Sequence, residues 1–392
     1  MRIAQVTETF PPEVNGVAMT NFRLAEGLGR RGHTVTVIRP HQGRRETAIP
    51  AGYGDGERPF AEWTVPGIPI PGYPGIQAGL PVYFRLRRRF REDRPDLVHI
   101  ATEGPLGWAA LLAARRAGVP VSSVFHTNFQ LYARDYHASL LQGPTLAVLR
   151  AFHNRCATTF VPNHDLIEEL RTGGCERLEF LGRGVDRDRF SPGKRDPALR
   201  QTWGVLADDP VLLYVGRAAA EKNIPLALKA FYAARRIHPR ARMVVVGDGP
   251  VRRKLQRRHP GIHFAGMRYG DDLARHYASA DLFLFASTTE TFGNVVTEAL
   301  TSGLVVLTYA YAAGRQYIRD GENGALVPLD DAEAFIDRCC QLMESRETWP
   351  GLRKAARCST ADIPWQGIID HLDNRFCSII RRHQAAGADT RG

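Results

Sequence analysis

An α/β fold of two doubly wound domains is what this chain predicts, and three observations predict it. Its 392 residues are too many for one ordinary core. Short apolar, β-rich runs alternate with longer helix-patterned stretches, the order that stacked βαβ units with a parallel sheet produce. The alternation also stops within Gly182–Asp209 and then restarts. There GRGVDRDRFSPGKRDPALR carries the Gly, Pro and charge of a linker or hinge. The predicted domains are therefore residues 1–185 and 186–364. Doubly wound sheets bind ligands at the carboxyl ends of their strands, so a crevice between the two domains is the expected site.

The elements follow in order. RIAQVTETF, HTVTVIRP, DLVHIAT, VPVSSVF and TTFVPNH are the strands of the first half, with helices at Thr20 to Arg31 and Trp108 to Ala117. Residues 40–80, dense in Gly and Pro (AGYGDGERPF, VPGIPIPGYPG), read as long loops. PVLLYVGR, RMVVVGDG, IHFAGM, DLFLFAST, LVVLTYA and GALVPL are the strands of the second half. Helices stand there at about Ile224 to His238 and Asn294 to Ser302, and a last one near Trp365 to His383. The tail AAGADTRG is expected to fray.

Composition excludes several classes. The chain is 44% hydrophobic and 24% charged, as soluble globular proteins are. No apolar run approaches the ~18 residues that span a bilayer. MRIAQVTETF lacks the charged leader and apolar core of a secretory signal, so a cytoplasmic address is expected. The six cysteines show no CxxC pair or metal-finger spacing and read as reduced thiols. The 13 histidines show no HExxH, so no metal site is predicted. A net charge of +11 would attract nucleic acid, anionic membranes or phosphate-bearing substrates alike. No nucleic-acid recognition motif or aromatic–basic platform is present, and no nucleic-acid partner is expected.

Four constellations carry candidate chemistry. Glu290-Thr-Phe-Gly-Asn-Val-Val-Thr-Glu298 follows a strand and opens a helix. Gly293 admits a ligand close to the backbone, and the helix N-terminus favours an anion. Glu290 and Glu298 suit paired hydroxyls of a sugar and a ribose; a capping acid and a solvated helical Glu are the plainer alternative. Gly216-Arg217 with Glu221-Lys222-Asn223 follows the first strand of the second half. Its Arg and Lys either converge on a diphosphate or form a solvated charge cluster. Pro11-Pro12-Glu13-Val14-Asn15-Gly16-Val17 closes the first strand, where Gly16 would admit phosphate near a helix start. Neither it nor Gly247-Asp248-Gly249-Pro250 is a dinucleotide GxGxxG, and the latter reads as a plain turn. Phe125-His126-Thr127-Asn128-Phe129-Gln130-Leu131-Tyr132 follows a strand. Tyr132 and Tyr136 offer surfaces to an acceptor or sugar, and His126 either takes or relays a proton or is a structural histidine.

PPEVNGV, FHTNF, GRGVDRDRFSP, YVGRAAAEKN, VVVGDGP, ASADLFLFAST, ETFGNVVTEAL and DGENGALVP together resemble retaining glycosyltransferase family four, whose two-domain fold is GT-B. The resemblance covers nearly the whole chain. It implies that Gly16 packs on the donor diphosphate, which Arg217 and Lys222 clamp. Glu290 and the backbone of Phe292, Gly293 and Asn294 would lie by the transferred sugar, and Glu298 would hold the ribose. His126 would lie near the reacting sugar, with Asp186 of the GVD motif a lesser candidate. Residues 365–392 would cross back to the first domain.

The chain departs from the family at Asn15-Gly16, where many members have two glycines, and at Ser302-Gly303-Leu304-Val305 and Tyr311-Ala312-Ala313-Gly314-Arg315. The Asn-Gly form and HTNF look most like transferases acting on diacylglycerol or a related lipid, such as sulfoquinovosyl- and glycosyl-diacylglycerol synthases. The implied reaction moves a hexose, from a UDP-sugar in the first instance, onto such a lipid by front-face retention, with no metal or other cofactor. Domain closure would exclude water. Asn15, Asn128 and Tyr132 are the acceptor candidates. The basic segment Tyr83 to Arg94 either lies on anionic headgroups, placing the protein on the inner face of the cytoplasmic membrane, or is an exposed charged helix. A GDP-mannose- or UDP-glucose-dependent transferase with a soluble or polysaccharide acceptor is the alternative. A dinucleotide oxidoreductase lacks its GxGxxG and its ribose acid.

Overall fold

The computed structural model describes residues 1–13, 15–43, 58–70, 77–126 and 139–389. They form two compact units, Met1–Arg183 with Trp365–Gly392, and Gly184–Pro364. In the first, strands β1 (Arg2–Val6), β2 (Thr34–Pro40), β3 (Ala61–Val65), β6 (Leu97–Ile100), β7 (Val121–Val124), β8 (Thr158–Val161) and β9 (Leu178–Phe180) make one parallel sheet. Its order is β3-β2-β1-β6-β7-β8-β9. Strands β4 (Gly67–Pro69) and β5 (Gln77–Gly79) form a separate antiparallel pair. The helices are α1 (Gly16–Arg30), α2 (Tyr83–Asp93), α3 (Pro105–Arg116), α4 (Ser139–His153) and α5 (His164–Thr172).

The second unit repeats the plan with β10 (Val211–Val215), β11 (Arg242–Val246), β12 (His263–Gly266), β13 (Leu282–Phe285), β14 (Val305–Tyr309) and β15 (Ala325–Val327). The order is β12-β11-β10-β13-β14-β15, again all parallel. Its helices are α6 (Pro197–Thr202), α7 (Ile224–Ile237), α8 (Arg252–Arg258), α9 (Gly270–Ser279), α10 (Asn294–Thr301), α11 (Ala312–Tyr317), α12 (Ala332–Glu344) and α13 (Trp349–Cys358). Every residue of β10, β13 and β14 is buried, as strands covered by helices on both faces must be. Tyr214, Phe231, Phe283 and Phe335 are among the largest side chains of this core.

Helix α14 (Trp365–Asp389) belongs to the first unit. Its Ile369, Leu372, Phe376 and Ile379 are buried with Ile3, Phe22, Leu24 and Val35. His33 meets Asp373 at 2.9 Å, and Arg31 pairs with Asp370. The residues read as a frayed tail are helical to Asp389, because the Ala-rich run favours helix over disorder.

Three other expectations change. Residues 40–80 are not loop throughout: AEWTV is an edge strand, in register from Ala61↔Thr36 to Val65↔Pro40, flanked by prolines that an edge position tolerates. Helix α1 starts at Gly16 rather than Thr20, because Asn15 caps it. LEF at Leu178–Phe180 adds a short edge strand beside β8.

Candidate functional site

In the second unit β10 and β13 are neighbours in the sheet but not in the chain, so the winding reverses between them and their carboxyl ends open a ligand crevice. Gly216 and Arg217 follow β10; Ala286 to Glu290 follow β13. Lys222 closes a 3-10 turn, Ala220–Lys222, ahead of α7. Its Nζ is ion-paired with Glu290 Oε1, and both side chains are under one-fifth exposed, 19% and 16%. The two groups predicted to hold opposite sides of one ligand thus hold each other across 68 residues of chain. Arg217 is 43% exposed and stands 4.0 Å from Glu221.

The loops behind these side chains are fixed by groups that their own motifs do not reveal. Tyr214 Oη donates to the Arg217 carbonyl at 3.3 Å. Tyr311 Oη donates to the Glu290 carbonyl at 2.7 Å. Gly247-Asp248-Gly249 packs on the Arg217 loop: Ala218 N donates to Asp248 O at 2.9 Å, and Val251 N to Ala218 O at 3.1 Å. Gly247 has φ +127, and a Cβ there would stand 2.0 Å from the Gly216 carbonyl oxygen. What read as a plain turn is a buttress that only glycine fits.

Gly293, at φ +96, caps α10. Phe292 is buried edge-on against Tyr317, and its carbonyl accepts from Ala313 N at 2.8 Å. Asn294 is the first residue of α10, so the backbone predicted to face sugar and phosphate is at a helix start. Glu298, one residue past the middle of that helix, accepts a hydrogen bond from Tyr277 Oη at 2.8 Å. Burial pushes its carboxyl up to about 7, against the lowering effects of Tyr277 and Arg189. Arg217, Lys222, Glu290, Phe292, Gly293, Asn294 and Glu298 all lie in the second unit.

Gly16, Asn15 and His126 lie in the first unit. Gly16 is exposed as the first residue of α1, where the unpaired amides of a helix start favour an anion. Asn15, proposed to meet the acceptor, uses its carboxamide otherwise: Oδ1 accepts from Ala18 N at 2.8 Å, and Nδ2 donates to Glu13 at 3.4 Å. It is an N-cap. His126 follows β7, and its Nδ1 meets Arg183 Nη2 at 3.1 Å. Burial first, then the charge of Arg183 and then His99, holds it well below the ordinary histidine value. A ring kept neutral in this way is a poor proton acceptor, against the expected proton-relay role. Asn128, Tyr132 and Tyr136 lie outside the described residues. Asp186, in the second unit, accepts from Arg189 N at 3.0 Å, closing its own turn.

Two acids that the motifs did not flag stand at the ends of β1 and β6. Glu8 accepts from Leu106 N at the start of α3 at 2.9 Å, and burial pushes it up to about 7. With Glu103, Pro144 and Leu149 it lines an open cavity of about 470 Å³. Among the described residues no three His, Cys, Asp or Glu side chains come together to hold a metal ion. No described helix is long and apolar enough to cross a membrane.

Comparison with known proteins agrees with this geometry. The family described as Glycosyltransferase Family 4 matches residues 14–189, and the one described as Glycosyl transferases group 1 matches residues 209–345. The chain is 33% identical over 392 residues to a GDP-mannose-dependent alpha-mannosyltransferase of Mycobacterium tuberculosis, covering 99% of each. It is 30% identical to the sulfoquinovosyl transferase SQD2 of Arabidopsis thaliana, covering 95% of this chain and 72% of the relative. Among solved structures, Anabaena Alr3699/HepE, determined with UDP and glucose, shares the fold with a TM-score of 0.76 at 19% identity, covering 96% of this chain and 100% of that one.

Proposed function

The chain belongs to glycosyltransferase family 4, with the two-domain GT-B fold of its structural neighbours, and from that premise we propose that it transfers mannose from GDP-mannose, with retention, to a hydroxyl of a lipid acceptor. The donor follows relatives that match essentially end to end and carry that description. The lipid-synthase resemblance points instead to a UDP-sugar. The observation that carries the reaction class is the meeting of Lys222 and Glu290 at the winding reversal of the second sheet, with Arg217 on the same loop as the lysine.

Breaking the anomeric bond leaves an oxocarbenium-like sugar and a nucleoside diphosphate anion. Arg217 and Lys222 are fixed cations for that anion, a role a divalent metal fills elsewhere, so no metal is required. Donor entry exchanges the Glu290 carboxylate at Lys222 for phosphate oxygen. Glu290, freed from the lysine, accepts from sugar hydroxyls, and Glu298 accepts from the ribose. In front-face retention the departing phosphate oxygen takes the acceptor's proton, which needs no protein base. The neutral state of His126 is consistent with that.

A lipid acceptor draws support from relatives described as alpha-monoglucosyldiacylglycerol synthases and from α2. Leu86 and Phe90 of that helix are buried, while Phe84 is 80% exposed beside exposed Arg85, Arg88 and Arg91. An exposed aromatic among arginines suits an anionic lipid surface. Those same relatives favour a second reading, the UDP-sugar donor and diacylglycerol acceptor that the sequence resemblance implies.

The test is transfer itself. Purified enzyme is given GDP-mannose or UDP-glucose with lipid vesicles, and the product's anomeric configuration is read by NMR, with EDTA present. Lipid-linked α-mannose is expected, at an undiminished rate in EDTA. Transfer from UDP-glucose alone favours the second reading. A β-linked product, or a rate abolished by EDTA and restored by Mg²⁺, overturns the mechanism.

A further inference from the structure

Arg183 is almost fully buried, 3% exposed, in the first unit just past β9. Its Nη1 donates to its own chain's Leu181 and Gly182 carbonyls at 3.2 and 3.4 Å, which orients the guanidinium. Nη2 is thereby aimed at His126 Nδ1, 3.1 Å away at the end of β7. A guanidinium has only donors and does not lose its proton in proteins. The imidazole nitrogen facing it must therefore carry a lone pair. Of the three forms of histidine only the neutral ring protonated on Nε2 has a lone pair on Nδ1. Turning the ring over would set a C–H against the same donor in place of a lone pair, so the assignment survives the usual ambiguity of ring orientation.

His126 Nε2 is buried and has no hydrogen-bond partner among the described residues. A buried N–H donor left unpaired bears its full desolvation cost, and such a group is retained where something else pairs with it. His99, the other ionisable ring near this charge, is packed against Phe160 and Phe376, and its Nδ1 is engaged by Ser122 Oγ at 2.9 Å.

We propose that Arg183 is a positioning residue: it locks His126 in the neutral Nε2–H tautomer, so that the ring offers a hydrogen-bond donor to an oxygen of a bound substrate and never acts as a proton acceptor. The significance for catalysis rests on the transferase reading above; the tautomer does not. Burial and the two flanking basic groups act in the same direction, holding the ring neutral below its ordinary titration range.

The experiment has a spectroscopic and a kinetic arm. Protein labelled with ¹⁵N-histidine, with the His126 signals assigned by loss in His126→Gln, is followed by long-range ¹H–¹⁵N spectra from pH 8 to pH 5.5. The expected result is a single Nε2–H pattern that does not titrate. In Arg183→Met the signals are expected to become a tautomer mixture, and Arg183→Lys, which restores a cationic donor, is expected to recover part of the wild-type pattern. Kinetically, kcat/KM of Arg183→Met is expected to fall about twofold or more below wild type at pH 7.5, because only the Nε2–H fraction of the ring is then competent, and Arg183→Lys is expected to recover part of that loss. His126→Gln, which keeps an N–H donor, is expected to retain at least tenfold more activity than His126→Ala.

An Nδ1–H or imidazolium pattern in the wild-type protein overturns the proposal, whether or not the arginine variants fold. So does His126→Gln no better than His126→Ala in an active enzyme. The predicted spectra in a protein that transfers no sugar leave the Arg183 lock standing and sink only the transferase reading.

Discussion

Donor affinity should rise tenfold from pH 6 to pH 8, and Glu298 is the reason. Burial raises its carboxyl to about 7 in the protein without donor. Ribose hydroxyls are donors, and a carboxylate accepts two of them better than a protonated acid, which spends one oxygen as a donor itself. If only the ionised form binds well, apparent affinity scales with the ionised fraction. With the midpoint at 7, about one-tenth of the molecules are competent at pH 6 and about nine-tenths at pH 8, so the apparent Kd falls about tenfold between them.

The sign for folding is opposite. A carboxyl raised in the folded state contributes stability that is complete below about 4.5 and lost as pH rises through 7. The free enzyme therefore loses at this residue what the complex gains. Calorimetric titration with intact GDP-mannose is the assay, because its doubly esterified diphosphate does not titrate in this range and free GDP would confuse the reading. The Glu298→Gln variant should bind weakly and flatly across the same interval. A wild-type Kd that is constant from pH 6 to pH 8, or a Glu298→Gln variant with the same slope as wild type, refutes the assignment of this carboxylate to the ribose.

Three further outcomes are expected. Tyr277→Phe removes the bond that favours the ionised Glu298, so the midpoint of the affinity profile should move to higher pH at a stability cost of about 1 kcal/mol; an unmoved midpoint counts against the coupling. Lys222→Ala should lower kcat at least 100-fold by removing a fixed charge from the leaving group, with a smaller effect on donor Kd; steady-state kinetics near wild type would remove the clamp. Gly247→Ala puts a Cβ 2.0 Å from the Gly216 carbonyl at φ +127, which should cost several kcal/mol and lower the urea midpoint; an unchanged midpoint would show that the Arg217 loop does not lean on that turn.

What was legible in the sequence was what local pattern encodes. Continuous apolar runs such as VLLYV and LFLF are the buried parallel strands of the structure, since covering both faces removes the polar alternation that solvent would impose. Arg217, Lys222, Glu290 and Glu298 could be singled out because each sits one loop beyond such a strand or at the helix that follows, where α/β sheets expose side chains. The edge strand AEWTV was missed because its neighbours on both sides are Pro- and Gly-rich, and an edge strand needs only one partner to form.

The misses at the site have another origin. Tyr214, Tyr277 and Tyr311 hold the Arg217 loop, Glu298 and the Glu290 loop through hydroxyls, yet each looks in sequence like one more aromatic of a strand or helix. The apolar body of a tyrosine satisfies the hydrophobic pattern completely, so its polar tip leaves no periodic trace. The same holds for Arg183: embedded in GRGVD, it reads as linker charge, and only the three-dimensional neighbour His126 gives it a role. Residues that touch a ligand are constrained by chemistry that a motif can display. Residues that orient them are constrained by a partner far along the chain, 21 positions away for Tyr277 and 57 for Arg183, and spacing of that length carries no signal until the sheet brings the two ends together.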